Sequence, residues 1–178
     1  MRGISFQQSL ICRHQRIITG AAAFSPPRAA MSIEEMRRKA EAGSCVNQCA
    51  LGLRYLYADD VEINYKEAFR FLSAAAEQGA SRALLNLGYM YARGLGIPKD
   101  VPEAIRLFEA VARPSDSSDA FIARIELGRI YSVGSGVPID AQKAFEWYSA
   151  AIAVATANND PEDLHEARAY VASAITGQ

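Results

Sequence analysis

The sequence is poor in the residues that most chemistry needs. It holds two histidines, three cysteines and one tryptophan in 178 residues. His14 lies in a stretch without periodicity. His165 stands beside Glu166 in a helical pattern, where one imidazole next to an acid reads as a solvated pair rather than a catalytic base. Cys12, Cys45 and Cys49 are too few and too unevenly spaced for a disulfide framework. Cys45 and Cys49 lie four apart with no further Cys or His near them, so a zinc site lacks ligands. Two small side chains on one helical face is the simpler reading. Asp59, Asp60 and Glu62 lack the ligand spacing of a calcium loop and read as a solvated acidic turn. No metal or cofactor is implied. A run of about 18 apolar residues is also missing, which excludes a spanning helix.

Charge of one sign is locally absent. The first 33 residues contain Arg2, Arg13, Arg16 and Arg28 and no acid, so the rest of the chain carries −5 within an overall −1. An acidic body without a basic stripe argues against a nucleic-acid or anionic-membrane surface. Residues 1–30 show no sustained periodicity, and Ser25-Pro26-Pro27 would break a helix. They read as a disordered extension or a targeting segment; an Arg-bearing, acid-free stretch weakly resembles a mitochondrial transit peptide, and an exported protein is the other alternative. Ser32 and Glu35 form a Ser-x-x-Glu capping box, which starts a helix cleanly just after Met31 and favours Met31 as the start. The expected compartment is cytoplasmic, in keeping with unpaired thiols.

What is present is alanine among Leu, Ile, Tyr and Phe, with half of all residues hydrophobic. That composition suits closely packed helices and an all-α domain over residues 31–178. Self-similarity then organises it. Leu51-Gly52-Leu53-Arg54-Tyr55, Leu87-Gly88-Tyr89-Met90-Tyr91 and Leu127-Gly128-Arg129-Ile130-Tyr131 all read Leu-Gly-x-x-Tyr, with glycines 36 and 40 residues apart. Sixteen residues beyond each glycine stands Ala68, Ala104 or Ala144, preceded four earlier by Asn64, Asp100 or Asp140. Each alanine is followed by an apolar pair: Phe71-Leu72, Leu107-Phe108 and Trp147-Tyr148.

Each unit therefore predicts two helices. Leu and Tyr share one face of the first, and Gly removes a side chain where a neighbouring helix must approach, at a propensity cost of roughly 1 kcal/mol. A loop containing Gly94-Leu95-Gly96 or Gly134-Ser135-Gly136 ends the first helix, and Asp100 or Asp140 caps the second. These glycine loops join two helices and lack the strand and basic residue of a phosphate loop. The repeats are expected at about 44–79, 80–119 and 120–157. The four-residue excess around Arg113 to Ser118 predicts an enlarged surface loop. Ser32 to Ala42 reads as a capping helix. Asn158-Asn159-Asp160-Pro161 predicts a restart, with Asp160 as cap, into a helix over 161–175 in which Ala167 and Tyr170 repeat the Gly-to-Tyr spacing.

These residues resemble the Sel1-like repeat family, a relative of the tetratricopeptide repeats. The third copy carries nearly the whole pattern: Leu127, Gly128, Tyr131, Gly134, Gly136, Val137, Asp140, Lys143, Ala144, Trp147, Tyr148, Ala150 and Ala151. The second is close. The first departs where Ala58-Asp59-Asp60 replaces the glycine loop. The resemblance implies a right-handed α/α solenoid of helix-turn-helix repeats with terminal capping helices. It also implies that Trp147 and the repeated tyrosines pack between helices, and that the first helices line a concave groove.

Function is then expected from surface shape: a non-catalytic adaptor holding a partner protein's segment or surface in that groove. Positions two before and two after each Leu point toward it on the helical period, nominating Cys49, Leu53, Leu85, Tyr89, Ile125 and Arg129, with Arg93 and Ser132 extending the same faces. Two other classes stay open: an enzyme or small-molecule binder with a site between repeats, and an RNA-binding helical repeat. Self-association through the solenoid ends is a further possibility.

Overall fold

The computed structural model describes residues 31–58, 61–113, 116–155 and 161–176. Sequence readings that fall on residues 1–30, Asp59, Asp60, Pro114, Ser115 and the Asp160 cap lie outside these. Of the two units into which the chain divides, Met1–Ser32 and Ile33–Gln178, the described helices belong to the second.

Among the described residues eight helices follow one another: α1 Ile33–Glu41, α2 Cys45–Tyr57, α3 Tyr65–Glu77, α4 Ser81–Arg93, α5 Val101–Ala112, α6 Ser118–Val133, α7 Ala141–Ala153 and α8 Pro161–Thr176. No strand occurs among the described residues. Each helix packs on its sequence neighbours, so α2–α3, α4–α5 and α6–α7 are the three repeats, flanked by α1 and α8. This is the all-α solenoid expected.

The boundaries follow from the capping chemistry. Asn64, Asp100 and Asp140 each accept a hydrogen bond from the backbone N–H three residues on, at 3.0–3.1 Å, satisfying a donor that the second helix leaves open. The backbone N–H of each same residue donates to the carbonyl of the repeat's tyrosine, Tyr55, Tyr91 or Tyr131, at 2.9–3.0 Å. Gly94 and Gly134 end α4 and α6 in the left-handed conformation, with φ of 71° and 70°. In the first repeat Ala58 takes that place, with φ of 60°. The first helix of that repeat thus ends like the others although the sequence after it departs.

The repeat glycines do what the pattern predicts. A Cβ built on Gly52 would lie 2.7 Å from Leu72, on Gly88 2.6 Å from Phe108, and on Gly128 2.8 Å from Tyr148. Leu72, Phe108 and Tyr148 are themselves buried, so none can move aside. Two expectations are corrected. The four-residue excess before the third repeat is not simply loop: α6 has 16 residues where α4 has 13, and the additional turn precedes Phe121. Ser117 caps it through Ala120 N–H. Trp147 is not a core residue either. It is half-buried and stacked under Arg113, 5.3 Å from the guanidinium, while its neighbour Tyr148 fills the core at 1% exposure.

Candidate functional site

Which face is concave follows from spacing. Successive first helices touch each other, α2 with α4, α4 with α6 and α6 with α8. Between successive second helices lie open clefts instead. One of about 340 Å³ separates α3 from α5 over Leu84, Leu87 and Tyr91 of α4. Another of about 300 Å³ separates α5 from α7 and is lined by Glu109, Arg113, Lys143 and Trp147. The stack closes on the first-helix side and fans open on the other, so the first helices form the inner face.

That face is laced by polar contacts between successive first helices. The Tyr57 hydroxyl donates to Asn86 Oδ1 at 2.7 Å, and Asn86 Nδ2 donates to the Arg82 carbonyl at 2.7 Å. Arg82 Nε pairs with Asp119 at 2.6 Å, on the extra turn of α6. Arg93 lies over the Tyr89 ring at 4.9 Å, and Phe108 meets that ring edge-on at 5.4 Å between centroids. Arg129 gathers three acids: Glu126 at 2.8 Å, Asp163 at 2.5 Å and Glu166 at 2.7 Å. Glu166 also accepts from the Tyr148 hydroxyl at 2.8 Å.

Burial and charge pairing set the electrostatics of this face. Burial pushes the Tyr57 phenol up to about 12, although Arg93 and Arg82 work to lower it. Burial also holds Tyr89 well above its ordinary value. Both hydroxyls stay protonated at neutral pH. Burial raises the Cys49 thiol to about 11, far from the thiolate that a nucleophile requires. Burial alone would lower Arg129, but the hydrogen bond to Glu166 and the charges of Glu126, Asp163 and Glu166 outweigh it and raise it. Glu166 is lowered despite burial, which acts to raise it, because Arg129 and Tyr148 hydrogen-bond to its charged form. Among the described residues no three His, Cys, Asp or Glu side chains converge as a metal would need, and no helix is long and apolar enough to cross a membrane.

The predicted groove residues separate into two sets. Leu53, Arg93 and Ser132 keep accessible surface on or beside the inner face. Leu85, Tyr89 and Ile125 do not: they are 0%, 2% and 1% exposed and belong to the core. Cys49 is half-buried. Arg129 reaches the face but is occupied by its three acids, and Ser132 Oγ donates to the Arg129 carbonyl at 3.1 Å. The physical reason is a choice of step. From Leu53, Tyr89 and Arg129, stepping back three residues gives Ala50 and Glu126, which keep accessible surface, and Asn86, which is buried. Stepping back four gives Cys49, which is half-buried, and Leu85 and Ile125, which are core residues. Both steps fall close to one side of a helix. The polar Glu126 against the apolar Ile125 was the signal in the third repeat, where the two steps differ in burial. Tyr57, Arg82, Asp119, Asp163 and Glu166 were missed because their roles depend on the next helix in space.

The Sel1 repeat model matches residues 48–79, 81–113 and 122–153, each spanning one helix pair. The chain belongs to the Sel1 repeat family. A Sel1 repeat protein from Oxalobacter formigenes, known from its crystal structure, superposes with a TM-score of 0.58 at 34% identity, covering 76% of this chain and 96% of that one. The c5321 protective antigen of uropathogenic Escherichia coli, which displays an SLR fold, superposes with a TM-score of 0.63 at 28% identity, over 72% of this chain and 27% of that one. Among curated proteins the chain is similar to mouse protein sel-1 homolog 2, 34% identical over 86 residues. It is also similar to mouse DAP3-binding cell death enhancer 1, 26% identical over 88 residues. The matches take in 48% and 49% of this chain but span only 12% and 17% of those relatives' lengths. Sel1 repeat proteins are in general protein-interaction modules.

Proposed function

We propose that this Sel1 repeat protein is a non-catalytic adaptor whose inner face holds an extended segment of a partner protein. The observation that carries the reading is the inner face itself. Exposed apolar side chains, Val46 and Val133 at 78% and 71% exposure, lie on first helices, among which partly exposed Tyr57 and Arg82 are held by polar contacts to the next first helix. An apolar rim around preorganised polar groups suits a peptide ligand, because little ordering is left to oppose binding. The similarity to a relative named for binding DAP3 is in keeping with a protein partner.

Photo-crosslinking tests it in the native cell. A crosslinking residue is placed at position 46, 53 or 93 on the inner face, or at 106 or 146 on the outer. Crosslinks to a common partner are expected from the inner positions. A partner captured only from the outer positions would remove the inner face from the account.

A further inference from the structure

The inner face is not evenly charged, and the imbalance selects among segments. Two of its arginines already have acids: Arg82 has Asp119 at 2.6 Å, and Arg129 has Glu126, Asp163 and Glu166. Arg93 is different. It is exposed, and among the described residues no carboxylate lies within ion-pair distance of it. Nor does its guanidinium wander freely, because it rests on Tyr89, which Phe108 holds in the core. The stack does not require a cation there. Tyr57 stands at the corresponding position one repeat earlier and Val133 one repeat later, each as the last residue of its first helix.

A cation resting on an aromatic ring, with no carboxylate of the described residues in ion-pair distance and with Tyr57 and Val133 at its equivalent positions in the neighbouring repeats, complements an anion with an apolar neighbour. Resting on the groove reading above, we infer that the partner segment places an Asp or Glu side chain on Arg93 and an aliphatic side chain on Val133. Adjacent packed helices lie about 8–10 Å apart and an extended chain rises about 3.3 Å per residue, so the two residues stand about three positions apart. The segment crosses the helices rather than running along them. Basic segments are disfavoured at this point.

Selection of random peptides about a dozen residues long on the full chain tests this. The selected peptides are then measured by fluorescence anisotropy against wild type, Arg93→Glu, Arg93→Lys and Val46→Glu. All these positions are exposed, and circular dichroism checks each fold. Arg93→Gln, which keeps the stem against Tyr89, replaces Arg93→Glu if that variant melts early. The expected result is a shared acidic residue about three positions from an aliphatic one. Binding should fall about tenfold or more with Arg93→Glu, be largely kept by Arg93→Lys, and weaken with added salt. Peptides without an acid, or acidic ones indifferent to Arg93→Glu but weakened by Val46→Glu, would overturn this inference and leave the groove reading standing. Peptides indifferent to both variants, or no selection at all, would overturn both.

Discussion

Helices α4 and α8 hold equivalent places as first helices, yet they are fixed by different forces. Helix α4 buries Ala83, Leu85, Asn86, Leu87, Gly88, Tyr89 and Met90, mostly apolar. Among its described side chains α8 buries only Asp163 and Ala167. Where the repeats have Leu51, Leu87 and Leu127, α8 has Glu166, and where they have glycine it has Ala167. Glu166 and Asp163 are held instead by Arg129 and Tyr148. Burying a leucine contributes roughly 1.5–3 kcal/mol, whereas a partly buried ion pair contributes little beyond offsetting its own desolvation. Helix α8 is therefore the element expected to open first, on charge-dependent terms.

The largest effect should come from attacking the fit of the central repeats. Gly88→Val would drive a branched side chain into the space of Phe108, whose ring atoms stand only 2.6 and 2.8 Å from where a Cβ on residue 88 would lie. Overpacking of this kind costs about 3 kcal/mol. Thermal melting should show a loss across the whole stack. Ala167→Gly, the reverse change in α8, should cost only about 1 kcal/mol of helix propensity. Equal effects from the two would dissolve the distinction between the helices.

Next in size is removal of the cation. Arg129→Ala leaves Glu126, Asp163 and Glu166 clustered without a counter-charge. Truncating one member of a buried pair costs about 3–5 kcal/mol; with Arg129 23% and Glu166 40% exposed, a loss nearer about 2 kcal/mol is expected. Hydrogen exchange should rise in α8 while α4 stays protected. Protection lost evenly through both helices would contradict the polar latch.

Acid should reproduce this more gently. The folded value of Glu166 lies below its ordinary one, so its contribution is complete above the unfolded value and fades as pH falls through the folded one. Glu126 and Arg129 of α6, Tyr148 of α7 and Asp163 of α8 itself are the groups it faces. Exchange in α8 should increase below about pH 4. Glu166→Leu, which restores the repeat's own residue, should abolish that dependence and leave stability unchanged or higher by about 1 kcal/mol. A marked destabilisation by Glu166→Leu would show that the ion cluster holds α8 better than an apolar contact does.

How much of this was readable in the sequence follows the same division. The three glycines, the Asn64, Asp100 and Asp140 caps and the helix order depend on spacing along the chain, and spacing is what a sequence displays. The inner face depends on which side of each first helix meets the next one. A step of three or four residues decides between Glu126, which keeps accessible surface, and Ile125 in the core, and periodicity alone does not choose. The Arg129 cluster was harder still, because its acids lie 34 and 37 residues away on a helix whose pattern is degenerate. Trp147 misled for a related reason: its neighbour Tyr148 takes the core position in that repeat, leaving the larger ring in the outer cleft.

The smallest effect tests whether the first repeat is weaker than its successors only at one residue. Ala58 adopts φ of 60° at the position filled by Gly94 and Gly134, and its N–H donates to the Arg54 carbonyl as theirs do to Met90 and Ile130. A left-handed alanine costs about 1–2 kcal/mol, part of which glycine returns through its greater freedom in the unfolded chain. Ala58→Gly should therefore stabilise by about 0.5–1 kcal/mol. Chemical denaturation should show a higher midpoint with an unchanged slope. Gly94→Ala should move the midpoint the other way by a similar amount, since a Cβ there meets Lys99 only at ordinary contact distance of 3.4 Å. If Ala58→Gly destabilises, the two loops are not closed alike, and the first repeat differs from the others in more than its alanine.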